Sequence, residues 1–585
     1  MGGFFKSFFA ALLALVAFTV VVVFVLLGIV GGLASSKKEN VGAKAVLVID
    51  LSHSYREQMK ENPLANIGAN DSYNGPGVYD LVRLVRQAKK DSSVRGIYLK
   101  CNSNANGFAT SQEIRNALID FKSSGKFVLA YGDVIPQKAY YVASIADKIY
   151  CNPKGGVEWK GFASELFFLK GTLQKLEIQP QIFYAGKFKS ATEPLREDKM
   201  TDANRLQMTE LLNGFFNSLL YSTASARGLD TTELRKAVNE NLIRFPEDAL
   251  RYKLVDGLKY DDELKDEMRD RMKVSKTEFL NFIELERYAT AAPDYKAEGK
   301  DKIALIYAEG DIVDGKGDKD QIGSDTYRWL IKKARLDKNI KAIVFRVNSG
   351  GGSSLASENI WRELTLAKES KPVVVSFGDV AASGGYYLSC NADSIFAQSN
   401  TITGSIGVFG LVPNMRDFFK DKLGVTFDGV KTAPEADGLT VTKPLSEIQK
   451  RFFQDNIDSI YHDFKSRVAG GRKKTMEYVD SIAQGRVWSG EKALQLGLVD
   501  RLGNMQDAID CAARMARTSD YQLKEYPEPR SFLDLLLGDY KKSVRAQAVE
   551  EELGEDGYKT FNALKRIKAM TGISQARLPF DFSIE

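Results

Sequence analysis

Histidine is almost missing from this 585-residue sequence, which contains only His53 and His462. A nucleophilic site with an imidazole base would have to use one of them. His462 falls off the apolar stripe of a predicted helix carrying Phe453, Ile457, Ile460, Phe464 and Val468, and reads as a solvated side chain. His53 follows a predicted strand, opens a polar stretch, and reads the same way. A hydrolase built on this chain therefore needs another base. Cysteine is equally sparse. Cys101, Cys151, Cys390 and Cys511 lie far apart without a C-x-x-C pair, which argues against a disulfide framework and against a zinc site. They read as small buried apolar residues. No His-rich metal signature and no Walker loop occurs, so neither a metal nor another cofactor is expected. The net charge is +5 and no Lys/Arg run dominates, so nucleic acid is not an expected partner.

Charge is also absent between Ser7 and Ser36, a run rich in Phe, Ala, Leu and Val. About 20 helical residues already cross the hydrocarbon core of a bilayer. The apolar part of a cleaved signal peptide covers only about 7–15 residues. The expectation is an uncleaved N-terminal membrane anchor within residues 1–40. Lys6 precedes the run and Lys37 and Lys38 follow it, so charge alone does not orient the anchor. No second run of this kind appears, which leaves the rest of the chain soluble and on one side.

What the sequence does contain is a repeat. Arg95–Ser164 lies in register with Lys341–Gly410 without a gap. Gly96–Leu99 meets Ala342–Phe345, Asn102-Ser103 meets Asn348-Ser349, Gly132–Val134 meets Gly378–Val380, and Tyr140-Tyr141 meets Tyr386-Tyr387. Further out, Ala45–Ile49 matches Ile303–Tyr307, and Leu254–Asp256 matches Leu498–Asp500. Two copies of one unit follow. The expected division is 1–40 anchor, 41–295 first unit, 296–520 second unit and 521–585 a charged helical tail with an apolar patch at Phe532–Leu537. The boundary lies in the polar stretch Ala292–Asp301. Within each copy, strands such as Ile343–Val347 and Val373–Phe377 alternate with helices such as Ala356–Lys368, so each unit is α/β with a largely parallel sheet.

One segment has the composition of a reactive turn. The strand Val373–Phe377 runs into Gly378-Asp379-Val380-Ala381-Ala382-Ser383-Gly384-Gly385 and then a predicted helix. Small neighbours leave a serine Oγ open, and the N–H of Gly384 at the helix start would face a developing oxyanion. Asn348-Ser349-Gly350-Gly351-Gly352-Ser353 ends the neighbouring strand and offers more backbone donors. The alternative is that Ser383 only caps the helix and the glycines only make turns. The first copy bears on that choice. Gln137 stands where Ser383 stands, and Asn104-Ala105-Asn106 replaces Gly350-Gly351-Gly352. The fold signature is kept while the reactive groups are not, which marks the second copy as the reactive one.

Together, Gly378–Tyr387, Asn348–Gly352, Thr403–Val408 and Gly485–Gly490 resemble the signal peptide peptidase A family in its long, two-domain bacterial form. The resemblance covers nearly the whole chain. It implies tandem Clp-protease/crotonase-like domains and a Ser–Lys serine protease, with Ser383 as nucleophile. It places the general base in Gly186–Pro194, where the family pattern selects Lys189, and makes Ser405 the hydroxyl that orients that lysine. Gly384, Gly352 and Gly351 would supply the oxyanion donors. Gly350 stands where the family usually has proline. Lys431, one position out of register with Lys189 in the repeat, is an alternative base. The resemblance further implies remnant signal peptides and other short apolar peptides as substrates, a homotetramer, and a single-pass location in the bacterial inner membrane with the soluble part on the periplasmic face.

The chemistry makes one demand. A free lysine has a pKa of about 10.4 and is almost wholly protonated near neutrality. A lysine base must be desolvated, and burial between the two copies would do that. Two other readings are an acyl-CoA enzyme on a crotonase-like fold and a silent scaffold for membrane proteins.

Overall fold

A computed structural model describes residues 2–34, 40–58, 75–292, 299–528 and 571–578. The polar boundary stretch is thus described only at its ends, and Phe532–Leu537 lies outside the described residues. The N-terminal backbone is one helix over Gly2–Ala34, 33 residues long. Its side chains are described as far as Val21. Among the described residues no helix is long and apolar enough to cross a membrane.

The repeat becomes two sheets with one strand order. The first runs Gly257–Leu258, Lys148–Val157, Phe127–Ile135, Val94–Lys100, Ala45–Asp50 and Asn281–Glu284, parallel throughout. The second runs Arg501–Leu502, Ser394–Ala397, Val373–Ala382, Ile340–Ser349, Asp301–Glu309 and Tyr521–Tyr526, again parallel. Helices cover the sheet faces, so central strands are buried on both sides and read as unbroken apolar runs, as Val373–Phe377 does. The end of Val373–Ala382 pairs onward as the end of Phe127–Ile135 does with Gly156–Val157, and it leads to one more strand that the first copy lacks among the described residues. Val380–Ala382 pairs with Ile402–Gly404, which in turn pairs with Val487–Ser489.

A third sheet ties the halves together. Its order is Gln321–Gly323, Asp311–Val313, Gly351–Ser353, Gln575–Arg577, Val408–Asn414 and Gln179–Ala185. The last two strands come from different halves and pair antiparallel along their length, from Val408 opposite Ala185 to Asn414 opposite Gln179. The stretch after residue 520 was expected to be helical, and its described parts are strands. Tyr521–Tyr526 completes the edge beside Asp301–Glu309, where Tyr521 and Leu523 pack against the helix Met505–Met515. Gln575–Arg577 pairs with Gly351–Ser353. An open sheet edge offers unpaired backbone groups, and that outweighs the local helical pattern.

Polar contacts also cross between the halves. Arg346 stands fully buried in the strand Ile340–Ser349, with Nε donating to Glu57 Oε2 and Nη2 to Glu113 Oε1, both at 2.7 Å. Burial acts against its charge, and the carboxylates of Glu113 and Glu57 outweigh it, holding the guanidinium above the ordinary arginine range. Thr110 donates to Asp379 from its backbone N (2.9 Å) and from Oγ1 (2.6 Å).

Candidate active site

Ser383 sits where the strand Val373–Ala382 turns into the helix Gly384–Ser389. Its backbone has φ 53° and ψ −114°, a region that a side-chain-bearing residue rarely adopts and that costs on the order of 1–3 kcal/mol. Two backbone bonds hold it there: Ser383 N donates to Gly404 O, and Tyr387 N to Ser383 O, each at 2.8 Å. The side chain makes no capping hydrogen bond. The capping role that the sequence left open is therefore not what Ser383 does. Gly384 and Gly385 allow the turn to pack tightly. A methyl group added at either would lie 2.7 Å from Ser357 Oγ or Ser349 O, respectively.

Lys189 reaches this serine from the other half. The strand Gln179–Ala185 carries the chain alongside Val408–Asn414, and Gly186, at φ 102°, turns it inward. Phe188 N donates to Gln484 O at 2.8 Å. Gly485, at φ +75°, clears the way, since a methyl group there would sit 2.7 Å from Lys189 N. Gln207 braces the other side by donating to Phe188 O (3.1 Å) and Ser190 Oγ (3.0 Å). The outcome is a lysine that is 1% exposed.

Lys189 Nζ lies 2.8 Å from Ser383 Oγ, 3.0 Å from Ser405 Oγ and 3.1 Å from Ser405 O. Ser405 is itself pinned at φ 51° by its N–H donating to Arg486 O at 2.7 Å. All three partners are oxygens and can accept from the amine; in its neutral form two N–H groups would serve the Ser405 oxygens and the lone pair would face the Ser383 hydroxyl. Burial, with no carboxylate among the described residues to offset it, pushes the Lys189 ammonium well below the ordinary lysine range.

Gly351 and Gly352 lie beside this pair. Ser349 fixes their loop, donating from Oγ to Gly310 O (2.6 Å) and accepting from Gly351 N (3.1 Å). Gly351 has φ +99°, and a methyl group on it would lie 2.8 Å from Gly384 N. Gly350 is open by comparison, with Leu578 Cβ at 3.5 Å from such a methyl group. The remaining candidates lie apart. Lys431 is exposed, donates to Pro434 O at 2.8 Å and pairs with Asp437 at 3.4 Å. His53 and His462 are exposed, His53 with Nδ1 at 4.0 Å from Glu286. All four cysteines are buried and unpaired.

Three groups around the site had no role assigned from sequence. Arg346 carried a signal, being a lone charge inside an apolar strand. Gly485 lay in a quoted motif without a reason for its presence. Gln207, on the helix Asp202–Arg227, gave none.

Comparison with known proteins gives a consistent picture. The pattern of peptidase family S49 matches residues 120–275 and again 365–519. "Protease 4" of Salmonella typhi is 35% identical over 572 residues, 94% of this chain and 92% of that protein. "Protease 4" of Haemophilus influenzae is 34% identical over 81% of this chain and 79% of its own length. "Serine protease SPPA, chloroplastic" of Arabidopsis thaliana is 30% identical over 78% and 69%, respectively.

Proposed function

The chain belongs to peptidase family S49 and is a serine peptidase, and from that premise we propose that Ser383 is its nucleophile and Lys189 its general base. The observation that carries this reading is the 2.8 Å approach of a buried amine, without an ion pair among the described residues, to a serine hydroxyl on a strained turn. Lys189 takes the Ser383 proton as Oγ attacks a peptide carbonyl. Backbone N–H groups of Gly384 and Gly352 receive the oxyanion, whereas the Gly351 N–H, expected to join them, is already given to Ser349 Oγ. Ser405 orients the amine so that its lone pair faces Oγ. Lys189 then passes the proton to the leaving amine, and water releases the acyl-enzyme. Membership of a peptidase family sets aside the acyl-CoA and scaffold readings.

The finer assignments rest on resemblance and length. The shared strand order supports tandem Clp-protease/crotonase-like domains, divided near residue 296. The uncharged apolar run from Ser7 to Ser36, longer than the about 20 helical residues that cross a hydrocarbon core, supports a single-pass anchor in the bacterial inner membrane. Remnant signal peptides and other short apolar peptides are the proposed substrates, cut by a homotetramer on the periplasmic face. A fluorophosphonate probe tests the dyad. Labelling at Ser383 that disappears in Lys189→Ala supports it, and unchanged labelling of Lys189→Ala refutes the lysine's role. Carbonate extraction of membranes tests the anchor, because a peripheral protein would be released.

A further inference from the structure

The segment Gln484–Trp488 is bonded to every backbone that brings the amine to the serine. Gln484 O accepts from Phe188 N at 2.8 Å, one residue before Lys189. Arg486 O accepts from Ser405 N at 2.7 Å, at the residue whose two oxygens hold Nζ. Gly485 N, between them, donates to Ile406 O at 2.8 Å. Val487 lies opposite Gly404, whose carbonyl accepts from Ser383 N. The approach is close: a methyl group added at Gly186 would lie 2.5 Å from the Gln484 carbonyl carbon.

Two side chains close this contact from opposite directions. The helix Asp202–Arg227 of the first half carries Gln207 and Glu210, three residues apart and therefore on one face. Gln207 is buried, and its Nε2 lies 3.0–3.1 Å from three acceptors, Phe188 O, Ser190 Oγ and Asn204 Oδ1. Its Oε1 accepts from Val487 N at 3.3 Å. One amide thus grips the residues on both sides of Lys189 and ties them to the other half. Arg486 reaches back from the second half. Its guanidinium carbon lies 4.8 Å from the Phe188 ring centre and 4.3 Å from that of Trp488, and Nη2 donates to Glu210 Oε2 at 2.5 Å. A planar cation laid over aromatic faces is a contact that lysine does not reproduce.

We propose that Gln207 and Arg486 form a reciprocal latch that positions the base. Each half fastens the turn Phe188–Ser190 onto Gln484–Trp488, and together they set the approach of Lys189 Nζ to Ser383 Oγ and keep water from the amine. Both are positioning residues, since neither touches the reacting atoms. The proposal rests on the Ser383–Lys189 reading. Loosening the latch has two consequences. The amine drifts from Oγ, and a displacement of about 1 Å can cost about 100-fold in rate. Water also reaches the amine, which restores part of the solvation that favours its protonated form.

The test uses full-length wild type, Lys189→Ala, Gln207→Leu and Arg486→Lys. Each is measured for the rate of fluorophosphonate labelling at Ser383 and for kcat and KM on an apolar reporter peptide, across a range of pH. Neither latch variant alters net charge, so a changed pH profile reports solvent at the amine. In both, kcat and labelling rate are expected to fall about 10- to 100-fold, with KM within about 3-fold of wild type. The acid limb of both profiles is expected to move to higher pH, because an amine reached by water keeps its proton more firmly. Wild-type kcat in both variants overturns the latch and leaves the dyad standing. A loss confined to KM does the same, and so does a fall in kcat with an unmoved acid limb, which a general loss of packing would give. Should Gln207→Leu not fold, Arg486→Lys decides alone, its side chain being 21% exposed and its charge retained. Labelling of Lys189→Ala at the wild-type rate removes the base, and the proposal with it.

Discussion

The two halves of the chain share one sheet order and part company where the third strand ends. In the second half that strand ends at Ser383, whose side chain is left uncapped and meets Lys189. In the first half Gln137 occupies the same place and is fully committed to the backbone. Its Oε1 accepts from Lys160 N (3.0 Å) and Gly161 N (2.8 Å), and its Nε2 donates to Gly161 O (2.6 Å). The neighbouring loops differ likewise. Gly351 keeps an approach open, whereas Asn104 and Asn106 knit theirs shut, Asn104 donating to Ser111 Oγ and Lys138 O at 3.0 Å each. One scaffold thus holds an end whose serine meets an amine and an end whose side chain is tied to the backbone. The sealed copy still contributes, since it delivers the amine.

The strongest way to break this comparison is to exchange the two ends. Ser383→Ala should lower kcat by about 10^5–10^6-fold, the scale of losing a serine nucleophile. Gln137→Ser in that background should restore nothing, because among the described residues the Gln137 side chain meets only backbone groups of Lys160 and Gly161. Measurable peptidase activity in the double variant would show that the first half is not sealed.

Lys189→Met should come next, at roughly 10^3-fold or more in kcat/KM. The sign of the pH effect follows from the depressed pKa. Wild-type activity should persist far below the ordinary lysine range and fall as pH drops through the shifted value, when the amine gains its proton. In the unfolded chain the lysine holds a proton that the folded chain does not, so its burial costs stability, increasingly as pH falls from about 10.4. Lys189→Met should therefore flatten the rise of stability with pH, as urea midpoints across the pH range would reveal.

Arg346→Met probes the join between halves. Removing the guanidinium leaves Glu57 and Glu113 buried without a counter-charge, at a cost of about 3–5 kcal/mol. Chemical denaturation should register that loss, and an unchanged midpoint would mean that the triad does not hold the halves together. The smallest effect belongs to Gln137→Ala. It removes the partner of the part-buried Lys160 and Gly161 N–H groups and of the Gly161 carbonyl, for about 0.5–1.5 kcal/mol, with kcat within a few-fold of wild type. A large fall in kcat from that change would tie the first half to the chemistry more closely than through Lys189 alone.

Much of this organisation was legible in the sequence, for a physical reason. A repeated unit repeats its burial pattern, so apolar strands in matching positions announced two sheets, and the mismatches at 137/383 and 104–106/350–352 singled out the copy proposed to react. Local pattern could not reveal what depends on distant pairing. Lys189 is one lysine among many until Gln179–Ala185 is laid against Val408–Asn414, and only the family resemblance singled it out. Glu57 and Glu113 read as ordinary surface acids until Arg346 is placed between them. The segment 575–577 has no strand signature of its own, because its partner is a glycine loop over 200 residues earlier.

The crossing of Gln179–Ala185 into the other half's sheet also sets an order of events in the making of the molecule. On the proposed assignment, the amine leaves the ribosome long before the hydroxyl it is to serve, and meanwhile it lies in water as an ordinary cation. Only when the later half has folded and the earlier one has docked does the lysine shed its proton and become a base. On that assignment a nascent chain, or one broken between the halves, has no base, and the docking of the halves is itself the safety catch.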